Sequence, residues 1–226
     1  MNDLAAPRSN ATMARLAYFA DPMCSWCYGF GPHLAQLLEA HPEFELDLTM
    51  GGLRAFNTQA MSPAFRDMLR EHWRHVAAAS PVAFTDTILA REDFIYDTEP
   101  ACRGVIAARG LDASGAYAYF EAVQIAFYRD GRDVTDPSVL AGVAVECGYD
   151  GAEFARVLDA REAREAARAD FARTQALGIQ GFPTLAVGYG TDLYLVTSGF
   201  ATADVLEHLL DEIERLLLEQ SVAQRV

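Results

Sequence analysis

Apolar residues follow three rhythms along this chain, and each rhythm predicts a different element. Arg15-Leu-Ala-Tyr-Phe-Ala20 is almost continuously apolar and rich in β-compatible side chains, which predicts a buried strand ended by Asp21-Pro22. From Ser25 to Ala40 the pattern turns helical, with Leu34, Leu37 and Leu38 on one face, until His41-Pro42 stops it. Phe44, Leu46, Leu48 and Met50 then alternate with polar residues, so a second strand is expected before Gly51-Gly52. Residues 15–52 therefore read strand, helix, strand, a parallel unit with a right-handed crossover.

From residue 55 to about 172 helical signatures follow one another with almost no strand signal, and five or six helices are expected. Ser62-Pro63 and Asp136-Pro137 each read as an N-cap followed by proline at the first helical position. Gly110, Gly131, Gly148 and Gly178 fall where helical patterns stop, as left-handed C-terminal caps do. The run Glu153 to Gln175 carries Phe154, Val157, Leu158 and Phe171 amid many Ala, Arg and Glu, a composition of high helix propensity. After Gly181-Phe182-Pro183, strand character returns in Thr184 to Val187 and in Leu193 to Val196, a hairpin across the Gly188 to Asp192 turn. Thr202 then opens a last helix whose Val205, Leu206, Leu209, Leu210, Ile213, Leu216 and Leu217 form an apolar stripe that should pack on the sheet. No internal repeat, low-complexity segment or flexible linker interrupts this order.

Composition narrows the function classes. The chain has 226 residues, 51% of them hydrophobic and 22% charged, enough for a real core and too apolar for intrinsic disorder. Its formal charge is −14 and its basic residues form no block, which argues against nucleic acid or an anionic membrane as partner. No run approaches the roughly 20 apolar residues of a membrane span. Residues 1–13 lack the basic and apolar regions of a secretory signal and read as a loose tail, so the expected location is cytoplasmic. In a reducing compartment, four cysteines suggest chemistry before they suggest a disulfide scaffold.

That chemistry concentrates at Cys24-Ser25-Trp26-Cys27, where the first strand meets the first helix. Unpaired amides at a helix N-terminus, together with the macrodipole, stabilise a thiolate at the first cysteine. Cys27, one turn on and turned inward, is placed to attack a mixed disulfide at Cys24, so one cysteine opens the exchange and the other resolves it. Two core cysteines, or half of a zinc site, are the rival readings. Zinc needs four ligands, and Cys102 and Cys147 are isolated in predicted helices. Trp26 reads as a hydrophobic lip for substrate in preference to core. Cys102, in the first turn of a helix opened by Thr98-Glu-Pro100, has a setting that could also favour a thiolate, against a plain packing role. Cys147 beside Gly148 reads as core. His72 and His75 share a helix face, yet no third ligand accompanies them. No phosphate loop or hydrolase elbow is present; Gly29-Phe-Gly31-Pro is a near-miss inside the first helix. No cofactor is expected, with glutathione entering at most as a co-substrate.

Asp21-Pro-Met-Cys24-Ser-Trp-Cys27-Tyr-Gly, Met50-Gly-Gly-Leu-Arg54, Asp97-Thr-Glu-Pro-Ala-Cys-Arg103 and Gly178-Ile-Gln-Gly-Phe-Pro-Thr184 together resemble the DsbA-family thioredoxin-like proteins, in particular a cytoplasmic subgroup allied to FrnE. The same superfamily holds the 2-hydroxychromene-2-carboxylate isomerases and kappa-class glutathione transferases, which have serine where this chain has Cys24. The resemblance implies an α/β, thioredoxin-like fold with an all-helical insertion after the second strand. Residues 14–54 and 177–220 would form the thioredoxin-like domain and 55–176 the insertion. It also implies catalytic Cys24 and Cys27, a cis Pro183 facing them, and substrate contacts from Ser25, Trp26, Phe182, Pro183 and Thr184.

The implied activity is thiol-disulfide exchange on a disulfide-containing protein or small molecule, supplied with electrons by a cellular thiol reductant. A glutathione-dependent isomerase or transferase is the alternative. Periplasmic relatives usually carry proline and histidine between the cysteines, so their oxidising poise does not carry over to Ser25-Trp26. No cysteine follows Cys147, which removes any mechanism that needs a second pair near the C-terminus.

Overall fold

The computed structural model describes residues 15–223. Strands β1 (Arg15–Ala20) and β2 (Glu45–Met50) flank helix α1 (Ser25–Ala40), and β3 (Thr184–Tyr189) and β4 (Asp192–Ser198) form the later hairpin. The sheet order is β2-β1-β3-β4, with β1 parallel to β2 and antiparallel to β3. Six α-helices separate β2 from β3: α2 (Pro63–Ala79), α3 (Glu99–Leu111), α4 (Ala116–Tyr128), α5 (Pro137–Glu146), α6 (Gly151–Asp159) and α7 (Arg161–Ala176). Helix α8 (Ala203–Ala223) ends the described chain. The expected tail at residues 1–13 lies outside the described residues.

Alternation along β1 sends Leu16, Tyr18 and Ala20 into the main core and Ala17 and Phe19 to the opposite face. Helices α1 and α8 pack together on the main-core side, where Leu34, Leu37, Leu206 and Leu210 are buried. The first amide of α8, at Ala203, donates to Nδ1 of His33 on α1 at 3.3 Å. Gly29 is where α1 meets α2, since a Cβ there would come within 2.6 Å of Val76 Cγ1. The near-miss Gly29-Phe-Gly31-Pro thus serves helix packing, and α1 continues through Pro32 to Ala40.

β2 lies at a sheet edge, where unpaired backbone groups need a partner. Side chains of the inserted helices supply it. Arg109 of α3 donates to the Leu48 carbonyl at 2.7 Å. Asp170 of α7 accepts from the Met50 amide at 2.9 Å, and Thr174 donates to the Met50 carbonyl at 3.3 Å. An Arg109–Asp170 ion pair joins the two helices across this edge. The insertion is therefore bonded to the sheet at the strand that leads into the active-site loops.

The helix-prone run from Glu153 to Gln175 forms two helices, because Ala160 takes an extended conformation (ψ 149°) that separates α6 from α7, and one local expectation needs correction. Gly110 does not end α3, which runs one residue further to Leu111; Gly131, Gly148 and Gly178 do adopt the positive φ of helix-ending glycines. Ser62 and Asp136 cap α2 and α5 by accepting from the amides of Phe65 and Ser138.

Candidate active site

Cys24 is the N-cap of α1, with φ −92° and ψ 114°, and the helix begins at Ser25. Asp21 shapes the turn that delivers it. The Asp21 carbonyl accepts from the Cys24 amide at 3.0 Å and its Oδ1 accepts from the Met23 amide at 2.8 Å. Oδ2 accepts from the amide of Leu53, beyond β2, at 2.7 Å and from the Cys102 thiol at 3.4 Å. Asp21 is fully buried, and burial pushes its carboxyl up against the lowering effect of those amides. From the insertion, the Tyr96 hydroxyl donates to the Met23 carbonyl at 2.5 Å. The loop before Cys24 is thus bonded to both parts of the chain.

The Cys24 thiol donates to the Phe182 carbonyl at 3.5 Å, and the Phe182–Pro183 bond is cis. Cys24 is 6% exposed and Cys27 0%. Both are free thiols. Burial, reinforced by the neighbouring Cys24, holds the Cys27 thiol well above its usual range. Cys24 opens on a cleft of about 330 Å³ whose walls include Ser25, Trp26, Phe65, Met68, His72 and Phe182. Trp26 packs between Phe200 and the edge of His72, with ring centroids at 5.4 and 5.7 Å. Burial pulls the His72 imidazole down, favouring its neutral form. Arg54 stands at the rim with its guanidinium 4.4 Å above the Phe65 ring.

The structure brings Cys24, Ser25, Trp26 and Phe182 to this cleft and sets Cys27 behind it. Pro183, which follows Phe182 in sequence, is buried and does not line the cleft. Thr184 turns elsewhere: its hydroxyl donates to the Gly181 carbonyl, and its side chain lines a groove of about 360 Å³ with Phe19, Ile179 and Leu195. That groove carries the hydroxyls of Thr184 and Ser198 but no cysteine, histidine or carboxylate, whereas the cysteine cleft holds Cys24 and His72.

Cys102 lies in the first turn of α3 and is fully buried behind the cleft. Burial outweighs its helix position and raises its thiol well above the usual range, the reverse of the expected thiolate-favouring setting. Cys147 is the half-buried C-cap of α5, with its thiol raised by burial. His75 is exposed and pairs with Glu71, while His72 faces the cleft. Among the described residues no group of three or more His, Cys, Asp or Glu is arranged to hold a metal ion.

Sequence reading missed Asp21, which looked like a strand terminator, and the cleft wall formed by Phe65, Met68 and His72 of α2. Tyr96 carried no signal at all. The start of α2 at Ser62-Pro63 and the shared face of His72 and His75 were visible, but nothing in them says which part of the molecule the helix faces.

A DSBA-like thioredoxin domain model matches residues 15–213. No curated protein matches the chain. The structure of a proposed protein disulfide isomerase from Nitrosomonas europaea is 36% identical, with a TM-score of 0.82 over 90% of this chain and 98% of that one. The cytosolic disulfide reductase DsbM from Pseudomonas aeruginosa is 28% identical, with a TM-score of 0.73 over 89% of this chain and 99% of that one, and DsbM has also been solved with glutathione. A 2-hydroxychromene-2-carboxylate isomerase shares the fold at 16% identity and a TM-score of 0.63 over 92% of this chain and 98% of that one. Among the described residues no helix is long and apolar enough to cross a membrane. The sheet order, the cysteine pair at the start of α1 and a match over nearly the whole chain lead to one conclusion: this protein belongs to the DsbA-like thioredoxin family.

Proposed function

We propose that the protein is a thiol-disulfide oxidoreductase that works through Cys24 and Cys27 as a reductase or isomerase of disulfides in the cytoplasm. The observation that carries this reading is the pairing of a cleft-facing thiol at the N-cap of α1 with a fully buried thiol one turn behind it. The Cys24 thiolate attacks a substrate disulfide; one substrate sulfur leaves and the other is held at Cys24. The Cys27 sulfur then attacks Cys24, forming the Cys24–Cys27 disulfide and releasing the second substrate thiol. A substrate segment lies along the Gly181-Phe182 backbone and against Trp26 and Phe182, with Pro183 and Thr184 holding that loop in place. A cytosolic thiol pool keeps an ordinary dithiol largely reduced, which favours reduction or isomerisation over net oxidation. A small thiol such as glutathione returns the pair to the dithiol form, a role supported by the glutathione-bound structure of DsbM.

Insulin reduction in a glutathione-coupled assay tests the reading. Cys24→Ser abolishes turnover, and Cys27→Ser traps a mixed disulfide visible by mass spectrometry. Full turnover by Cys24→Ser overturns the proposal. Full activity of Cys27→Ser on an aromatic electrophile would instead favour the glutathione-dependent isomerase or transferase.

A further inference from the structure

The exchange cycle proposed above has one step with no evident route for its proton. Cys27 must lose a proton before its sulfur can attack Cys24, yet it is 0% exposed and packed behind the cleft. The Asp21 carboxylate accepts from the Met23 and Leu53 amides and from the Cys102 thiol, and no hydrogen bond joins it to the Cys27 thiol.

On its other side Cys27 meets a different set of groups. Cys27 and Gly31 are four residues apart on α1, and Tyr117 and Glu121 are four apart on α4, so each pair shares a helix face. The two helices are in contact, and a Cβ on Gly31 would lie 3.8 Å from Glu121 Oε1. Beneath them on β1 lies Tyr18, fully buried, its ring 6.5 Å from that of Tyr117 in an edge-on arrangement. The hydroxyls of Tyr18 and Tyr117 are both buried and neither makes a hydrogen bond of standard geometry, an uncommon state for two neighbouring polar groups in a core. Tyr18 feels both the Cys27 thiol and the Tyr117 hydroxyl, and Tyr117 feels the Glu121 carboxyl. Glu121 is half-buried and lines an open surface groove with Gly31, Gln124 and Arg129.

We propose that Tyr18, Tyr117 and Glu121 form a proton relay that drains the Cys27 thiol to solvent during the resolving step. This rests on the exchange reading given above. The S–H bond of Cys27 breaks and its proton passes to the Tyr18 oxygen, while Tyr18 passes its own proton to Tyr117 and Tyr117 passes its own to the Glu121 carboxylate. Small rotations of the hydroxyls and of Glu121 close the row. The freed sulfur attacks Cys24, the Cys24–Cys27 bond forms, and the substrate sulfur leaves as a thiolate. Glu121 then gives its proton to water. Burial raises both phenols well above their usual range, so they pass the proton on without remaining as phenolates. Burial also raises the Glu121 carboxyl, which makes it a better acceptor than an exposed glutamate.

Reaction of the reduced protein with 5,5′-dithiobis(2-nitrobenzoate) separates the two steps, since attack by Cys24 releases one chromophoric thiol and resolution by Cys27 releases the second. A Cys147→Ser background removes the half-buried thiol that would add a third phase. In stopped-flow traces at neutral pH, Glu121→Gln and Tyr117→Phe are expected to slow the second release by about tenfold or more, with the first release at the parental rate. Glu121→Asp restores part of the second rate, which a merely structural role for Glu121 does not predict. Tyr18→Phe, which removes the hydroxyl and keeps the ring, has the same effect as Tyr117→Phe. Second-phase rates equal to the parent in Glu121→Gln and Tyr117→Phe overturn the relay, as does a second phase slowed by Asp21→Asn alone. A parental protein that shows no Cys24-dependent release overturns the exchange reading itself.

Discussion

Gly51 lies so close under Phe182 that a Cβ on residue 51 would come within 2.0 Å of the Phe182 ring. These residues belong to the loops after β2 and before β3, and Phe182 supplies the carbonyl that accepts from the Cys24 thiol. An alanine at 51 therefore has to push the ring, and with it the loop facing Cys24. Gly51→Ala is expected to cost about 1–3 kcal/mol of stability as overpacking. Its effect on disulfide-exchange kcat/KM should be larger than Gly29→Ala produces, although a Cβ at Gly29 also clashes, with Val76 at 2.6 Å. Thermal unfolding and insulin reduction measured on both variants check this; equal activity losses would show that Phe182 is not positioned by Gly51.

The four thiols should differ sharply in reactivity. Cys24 opens on the cleft and Cys147 is half-buried, whereas Cys27 and Cys102 are 0% exposed and have thiols raised well above the usual range by burial. A raised thiol stays protonated as pH climbs through neutrality, and the protonated form does not alkylate. Iodoacetamide at pH 7 should therefore label Cys24 first and Cys147 next. Cys27 and Cys102 should label only at strongly alkaline pH or after unfolding. Peptide mass spectrometry over a time course reads the order directly, and early labelling of Cys102 would contradict its placement behind Asp21.

Glu99 and Arg103 form a buried pair on α3, with Nε to Oε1 at 2.7 Å, and Arg103 also donates to the Leu158 carbonyl at the end of α6. Their side chains are 12% and 9% exposed. Removing the carboxylate leaves the guanidinium buried with no opposite charge. Glu99→Ala should destabilise the protein by about 3 kcal/mol. Chemical denaturation measures it, and a loss below about 1 kcal/mol, the worth of a surface pair, would show that water reaches the pair.

Local pattern was enough for the elements and for placing the cysteine pair at the start of α1. The continuous apolar run 15–20, the alternation from 44 to 50 and the leucine spacing on α1 are consequences of burial acting on neighbouring residues, so they are written into adjacent positions. The same holds for the positions of Cys24 and Cys27, the N-cap of α1 and a residue of its first turn. It failed at Ala160, where alanine-rich sequence gives no sign of the extended residue that separates α6 from α7.

The walls of the site were decided by tertiary structure. Tyr96 reaches the Met23 carbonyl across 73 residues of chain, Phe182 reaches the Cys24 thiol across 158, and Met68 and His72 enter the cleft because the insertion folds back over the start of α1. Such contacts depend on where whole helices come to rest, which no single residue type encodes. The setting of Cys102 was settled in the same way. The inward turn of Cys27 was legible from its place one helical turn after Cys24, whereas only packing determined that Cys102 is sealed from water as well, because desolvation is a property of all the neighbours together.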